Sequence, residues 1–429
     1  MIRLRCVSKV HLILVTLICA SPVILLWDGP NMQGLVIGTV AVALAITARA
    51  LRPGETEFLV SIIRPLAAVG AVPAVWVVIQ LLPLRLLAHP IWKSAETALG
   101  HPVAGTISVD PGASILALGQ YLSVIAVAIL SAAVAVDRQR AESILLALTA
   151  AASAVALMIV TRSVTFMRAQ AIDCVSMGTI IACAACIRTI ERYETRRSSP
   201  QRSMLVLLWT FVACSAALAI CGTVVMLGTT REIFIATAYG IFALTCISII
   251  RRFALGAIGT TAVAAPALGA AILLLAYHSP ERHTSIPFAF AGASDSSPVT
   301  LSERVLYDAP LVGTGAGTFA ALAPIYRQID DPSPGSTAAT AAATFAIELG
   351  KPMLWFITVA TVGFIFILLR AALQRGRDSF YPAMGGSYLI TLLLLSFNNA
   401  GLFGTASSLI SAAVIGLGIA QSKSRTAKA

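Results

Sequence analysis

The chain has 429 residues, of which 58% are hydrophobic and 11% are charged. A soluble globular domain typically carries about 25% charged residues, so this composition excludes a soluble globule and indicates an integral membrane protein. The formal net charge is +11. The basic residues lie mainly in short segments between apolar runs, where they face anionic lipid, so no nucleic-acid partner is expected.

Apolar runs recur along the whole chain, and each is long enough to cross a hydrocarbon layer of ~30 Å. They predict one all-α polytopic membrane domain over residues 1–429 with about twelve transmembrane helices. The first run follows a basic start and precedes eleven others, which favours a retained signal anchor over a cleaved signal peptide. The predicted spans are 10–27, 34–51, 66–83, 113–136, 143–161, 171–187, 204–227, 232–250, 255–277, 350–369, 384–398 and 402–420.

The distribution of lysine and arginine predicts the orientation of these spans, because positive charge collects in short cytoplasmic loops. With both termini inside, twenty of the 30 basic residues fall in cytoplasmic segments and nine fall outside. The largest loop, residues 278–350, then lies on the outer side. It is the only predicted loop long enough to build a site.

This loop contains "GTGAGT", Gly313 to Thr318, between Arg304 and Arg327. A dinucleotide-binding fingerprint would need a third glycine where Thr318 stands, and a Walker loop would need a Gly-Lys-Ser/Thr that is absent. Two alternatives remain. The glycines let backbones pack closely, or they form a tight turn that presents N–H groups to an anion, which the flanking arginines favour.

Four stretches of the chain together resemble a known family. The loop holds "RVLYDAPLVGTGAGTFAALAPIYRQ" followed by "ELG" at 348–350, an earlier region holds "VIQLLPLRLLAHP" at 78–90 with "ISVDPGASILALGQYLS" at 107–123, and "MLGTTREIFIATAYG" spans 226–240. These resemble, in order and in predicted side of the membrane, the signatures of the O-antigen ligase and polysaccharide polymerase family. Arg231 falls on an arginine of that family's outer turn.

The resemblance implies a lipid-carrier glycosyltransferase-like helical fold in a bacterial inner membrane, with the loop in the periplasm. Members of the family transfer an oligosaccharide from undecaprenyl diphosphate to a lipid A-core or growing glycan acceptor, without a metal or other cofactor. Expected partners are therefore this lipid-linked glycan, the acceptor, membrane lipids and other glycan-assembly membrane proteins. The expected diphosphate-binding residues, which offer charged bidentate donors, are Arg231, Arg304 and Arg327. The residues expected to shape the loop are Asp308, Gly313, Gly315, Gly317 and Glu348.

The chain departs from the family at the general base. Ala339 and Thr340 stand where the family usually has a histidine and an asparagine, and Ala171 replaces a histidine in "TFMRAQAID", 165–173. Attack by a sugar hydroxyl is helped by a base of near-neutral pKa, so no catalytic residue is assigned. His278 and His283 are candidate substitutes, although they also suit the end of a membrane span.

Each remaining polar candidate also has a structural interpretation. Asp308 follows Arg304 by four residues and is expected to pair with it on one helix rather than act as a base. Asp330 and Asp331 fit a solvated turn. Glu348 is expected to cap the start of the tenth span, and Arg231 could extend to lipid headgroups instead of binding a substrate.

Three functions are therefore open. The chain is an active ligase or polymerase, a base-deficient homologue that assists glycan assembly without chemistry, or a lipid or glycan transporter. Transporters often show inverted repeats and charged residues at mid-membrane, and the sequence shows neither.

Overall fold

The structure, a computed structural model, describes residues 2–50, 53–84, 86–161, 168–195, 201–252, 296–327, 338–374 and 379–422. Every regular element within these ranges is a helix, so the prediction of an all-α chain is confirmed for the part described. The predicted ninth span, 255–277, lies outside the described residues. The same is true of His278, His283, Asp330 and Asp331.

The helices that position the candidate site are numbered here in chain order. They are α1 (Ile2–Cys19), α2 (Ser21–Leu26), α3 (Pro30–Ala50), α4 (Pro53–Leu81), α5 (Ile91–Leu99), α6 (Pro111–Ala135), α7 (Arg138–Val160), α8 (Arg168–Thr195), α9 (Gln201–Gly228), α10 (Arg231–Arg252), α11 (Ser296–Asp308), α12 (Phe319–Tyr326), α13 (Ala341–Glu348), α14 (Lys351–Gln374), α15 (Phe380–Ser396) and α16 (Thr405–Ala420). A 3-10 turn, Gly401–Phe403, precedes α16.

The described helices have the lengths and composition of a multi-pass membrane protein. Eight of them, α3, α4, α6 to α10 and α14, are long and apolar enough to cross a bilayer. Three further predicted spans fall on shorter apolar helices, within α1 and on α15 and α16. The count of twelve spans therefore stays a prediction, because one of them lies in the part of the chain that is not described.

Two predicted spans differ from the observed helices, and proline explains both differences. The run 10–27 is divided between α1 and α2, because Pro22 stands in the first turn of α2 and the first helix ends just before it. The span predicted at 66–83 belongs to a helix that begins at Pro53 and contains Pro65 and Pro73. Proline is tolerated inside membrane helices because neighbouring groups satisfy the freed backbone carbonyls.

Contacts between helix termini show which termini lie together at each end of the bundle. Asn399, which follows α15, contacts Ala169 at the start of α8 and accepts a hydrogen bond from Ala341 at the start of α13. Gln80, near the end of α4, contacts Glu348 at the end of α13. We call this the loop end. At the opposite end, Glu142 on α7 forms ion pairs with Arg188 and Arg192 on α8.

Small residues allow the central helices to approach closely. A Cβ added at Gly385 on α15 would lie 3.3 Å from the Cα of Gly418 on α16, and one added at Gly416 would overlap the carbonyl of Ala128 on α6. Close backbone packing replaces the hydrophobic driving force that is missing between helices in lipid. Large apolar side chains such as Val206 and Phe366 are instead exposed on the outside of the bundle. The close-packed central helices α6, α15 and α16 lie beneath the loop end.

Candidate functional site

The stretches at Gln80, at Ser108 and Val109, and around the glycine-rich turn meet at the loop end. The buried Gln80 side chain donates from Nε2 to the carbonyl oxygens of Val312 at 2.9 Å and Glu348 at 3.0 Å. The amide of Ser108 donates to the Gln80 carbonyl, and the amide of Val109 donates to that of Thr314. Segments more than 200 residues apart therefore form one hydrogen-bonded unit.

Glycine is required in this unit because the backbones touch. Gly313, Gly315 and Gly317 have φ values of +81°, +110° and +75°, which side-chain-bearing residues rarely adopt. A Cβ added at Gly315 would overlap the Ser108 hydroxyl and lie 2.7 Å from the Ser108 Cβ. The Ser114 hydroxyl donates to the Ala316 carbonyl at 2.8 Å and holds the turn against α6.

Amide groups of the turn donate hydrogen bonds to other groups of the protein. Glu348 Oε2 accepts from the Gly317 amide at 2.7 Å, and Oε1 accepts from the Phe319 amide at 3.1 Å. The amides of Thr314 and Gly315 donate to backbone carbonyls of α13. The turn thus binds a carboxyl group that belongs to the chain itself, and close packing explains its glycines better than a site for a ligand anion.

Glu348 therefore has a different structural role from the one expected. It is the last residue of α13 rather than the first of the next span, and its carboxylate caps the N-terminus of α12. Burial raises the pKa of Glu348 to about 7, although the hydrogen bonds from Gly317 and Phe319 act in the opposite direction. Its charge state consequently changes near neutral pH.

The helix α11 has one buried face and one open face. Leu301, Val305 and Leu306 pack into a small apolar core with α12 and α13. The opposite face contributes most of the lining of an open depression of about 500 Å³, which is formed by Thr300, Glu303, Arg304, Tyr307, Asp308 and Tyr326. Positions three and four residues apart share one helix face, which explains why these five α11 side chains meet.

Arg304 is held against the end of α12. Its Nη1 donates to the Tyr326 carbonyl at 3.3 Å, so the guanidinium lies near Arg327, which follows α12 directly and is exposed. The Tyr326 side chain is hydrogen-bonded to Asp308, and burial together with that carboxylate raises the Tyr326 pKa. The structure thus brings Arg304, Arg327 and Asp308 to one short helix end.

The third arginine lies on a different part of the loop end. Arg231 is the exposed first residue of α10. That helix packs mainly against α8 and α15, whereas α11 packs against α12 and α13. The described contacts therefore bring together only two of the three arginines expected to bind a diphosphate.

Ala339 and Thr340, the two positions where a histidine and an asparagine were expected from the resemblance, have structural roles. The amide of Ala339 donates to the Ser302 hydroxyl at 2.9 Å, and Thr340 caps α13 by accepting from the Ala343 amide at 3.1 Å. These bonds join the start of α13 to α11. Neither side chain offers a base of near-neutral pKa.

The sequence prediction did not include Asp173, a buried aspartate that also lies at the loop end. Asp173 on α8 is 0% exposed, and its Oδ1 accepts from Asn399 Nδ2 at 2.8 Å, while its Oδ2 has no hydrogen-bond partner. The backbone carbonyl of Asn399 accepts from Ala341 at the start of α13. An aspartate inside a predicted span was the signal that could have found it, since ionisable residues within membrane helices are usually functional.

Comparison with protein-family models and with curated proteins found no match to this chain.

Proposed function

We propose that this protein belongs to the O-antigen ligase and polymerase type and handles an undecaprenyl diphosphate-linked oligosaccharide in surface polysaccharide synthesis. The supporting observation is that three of the four stretches that resemble that family form one hydrogen-bonded unit at the loop end. Gln80, Ser108, Thr314 and Glu348 belong to this unit.

The distribution of charge supports a location in the inner membrane with the loop end in the periplasm. Several arginines lie at the end opposite the loop, among them Arg138, Arg188, Arg192, Arg251 and Arg252. Positive charge favours the cytoplasmic side of a bilayer. In a chain without native cysteines, Leu311→Cys should react with an impermeant thiol reagent in cells with a permeabilised outer membrane, and Gln139→Cys should not. The reverse pattern would contradict this orientation.

In this proposal the arginines hold the diphosphate that leaves when the glycan is transferred. Negative charge develops on the leaving group, and guanidinium groups can stabilise it with paired, permanently charged hydrogen bonds. Arg304 and Arg327 act together at the end of α12, and Arg231, the first residue of α10, is the third proposed donor. Asp308 and Tyr326 orient the surface from which Arg304 projects.

Binding measurements on the purified full-length protein test this assignment. Loss of a charge-assisted contact typically costs roughly 1.5–3 kcal/mol, so Arg304→Ala, Arg327→Ala and Arg231→Ala should each weaken binding of undecaprenyl diphosphate about 10- to 150-fold. Lysine should restore part of the loss, because it cannot donate in a bidentate manner. Lys93→Ala, which removes a cation at the loop end outside the four stretches, is the control. An equal loss of binding affinity in Lys93→Ala would show that the lipid binds through general surface charge rather than through these arginines.

The non-catalytic alternative rests on a specific observation. Ala339 and Thr340 are used to join α13 to α11, so the place that resembles the family's base carries no proton acceptor. A deletion strain separates the functions. Loss of glycan attachment to lipid A-core indicates a ligase, loss of long chains indicates a polymerase, and accumulation of glycan lipid on the cytoplasmic face indicates a transporter. An unchanged surface glycan would contradict the proposal.

A further inference from the structure

The depression on α11 has a composition that differs from a diphosphate site. Among the described residues its lining includes the carboxylates of Glu303 and Asp308 and one cation, Arg304, so their formal charge sums to −1. A diphosphate would meet two like charges there. A neutral ligand rich in hydroxyl groups would meet donors and acceptors on every side, since carboxylates accept, guanidinium donates and hydroxyls do both.

Tyr307 supplies a flat aromatic surface at the same place. Its side chain is 83% exposed, although the apolar core under α11 lies on the other face of the helix. A large exposed aromatic ring offers contact area at low conformational cost. The C–H face of a pyranose ring is apolar and its rim is polar, so it matches a tyrosine surface bordered by charged side chains.

Two polar side chains of the depression, Arg304 and Asp308, have partners on Tyr326. Arg304 Nη1 donates to the Tyr326 carbonyl, and the Tyr326 side chain is bonded to Asp308. The depression, at about 500 Å³, is within the usual size range of small-molecule sites. Preorganised polar groups around an aromatic surface favour a specific ligand rather than non-selective contact.

We propose that this depression is a carbohydrate subsite, which holds a sugar residue of the lipid-linked glycan against Tyr307, Glu303 and Asp308. The inference rests on the proposed function, because that function brings a glycan lipid to the loop end. It separates two recognition tasks. Arg304 and Arg327 recognise the diphosphate at the end of α12, and the sugar lies on Tyr307 beside Arg304.

The test compares two lipids on the purified full-length protein in nanodiscs. One is undecaprenyl diphosphate carrying one N-acetylhexosamine, and the other is undecaprenyl diphosphate alone. Wild type should bind the sugar-bearing lipid more tightly. Tyr307→Ala should reduce this preference about 3- to 10-fold, the magnitude expected for an aromatic contact, and leave binding of the bare lipid within about 2-fold. Tyr307→Phe should keep the preference, because the aromatic face remains.

A matched control is Tyr193→Ala, which removes an exposed tyrosine from the end of α8 at the opposite end of the bundle. It should bind both lipids as wild type does. Equal binding of the two lipids by wild type would overturn the sugar subsite and leave the proposed function standing. An equal loss for both lipids with Tyr307→Ala would also overturn it, because the residue would then act as a membrane-interface anchor. Failure of wild type to bind either lipid would overturn the proposed function as well.

Discussion

Gln80→Leu should loosen the glycine-rich turn without unfolding the bundle. The Gln80 side chain is fully buried, and its single amide nitrogen joins α4 to the carbonyl oxygens of Val312 and Glu348. Leucine has a similar volume and cannot donate a hydrogen bond. The substitution therefore removes the bonds and keeps most of the packing.

The expected magnitude follows from the number of bonds. A hydrogen bond between neutral groups contributes about 0.5–1.5 kcal/mol net, so two bonds contribute about 1–3 kcal/mol. The Glu348 carbonyl keeps the Gly315 amide as a donor. The Gln80 Oε1 atom, which has no partner in wild type, is removed, and this limits the loss.

Hydrogen exchange followed by mass spectrometry measures this local change. The amides of Thr314, Gly315 and Gly317 all donate hydrogen bonds within the unit, so they should be protected in wild type. A loss of about 1–3 kcal/mol corresponds to exchange about 5- to 150-fold faster in Gln80→Leu. Peptides from α6 and α16 should exchange as in wild type.

The control is Gln120→Leu, which removes one bond, from Nε2 to the Phe403 carbonyl at 3.1 Å, at a more exposed place. It should leave exchange in the turn unchanged. Unchanged protection of residues 313–319 in Gln80→Leu would refute the role of Gln80 in holding the turn. Faster exchange throughout the bundle would refute the claim that the effect is local.

Three further predictions concern other residues of the loop end. Gly315 has a φ of +110°, and a Cβ there would overlap Ser108. Gly315→Ala should therefore lower the free energy of unfolding by at least about 2 kcal/mol. The control is Gly34→Ala, whose added Cβ meets open space, and a drop in melting temperature no larger than in this control would contradict the prediction. The pKa of Glu348 is raised to about 7 by burial, so its contribution to stability is complete below pH 4.5 and is lost as the pH rises through 7. Wild type should lose about 2–3 kcal/mol between pH 5 and pH 8, and an equal loss in Glu348→Gln would refute the assignment. Asp173→Asn should keep the yield of folded protein, because an amide oxygen can still accept from Asn399. Asp173→Leu should lower the free energy of unfolding by about 1–3 kcal/mol and reduce this yield. Equal yields from both variants would show that this hydrogen bond is unimportant.

Part of the loop end could be predicted from sequence because its signals are local. The pair of arginines around the glycine-rich turn and the glycines themselves occur within one short segment. The role of Glu348 could not be predicted, because its bonding partners, Gly317 and Phe319, depend on how α12 is placed.

The sequence by itself determined that the chain is helical and membrane-embedded, because hydropathy and charge act over each run of about 20 residues independently of the rest. Only the tertiary structure decided which of these runs meet. The contact between Gln80 and Val312 spans 232 residues, and Asp173 meets Asn399 across 226. The sequence around one residue does not indicate which distant residue it will contact. Such hydrogen bonds form only where helix packing brings two distant helix ends to the same level of the bundle.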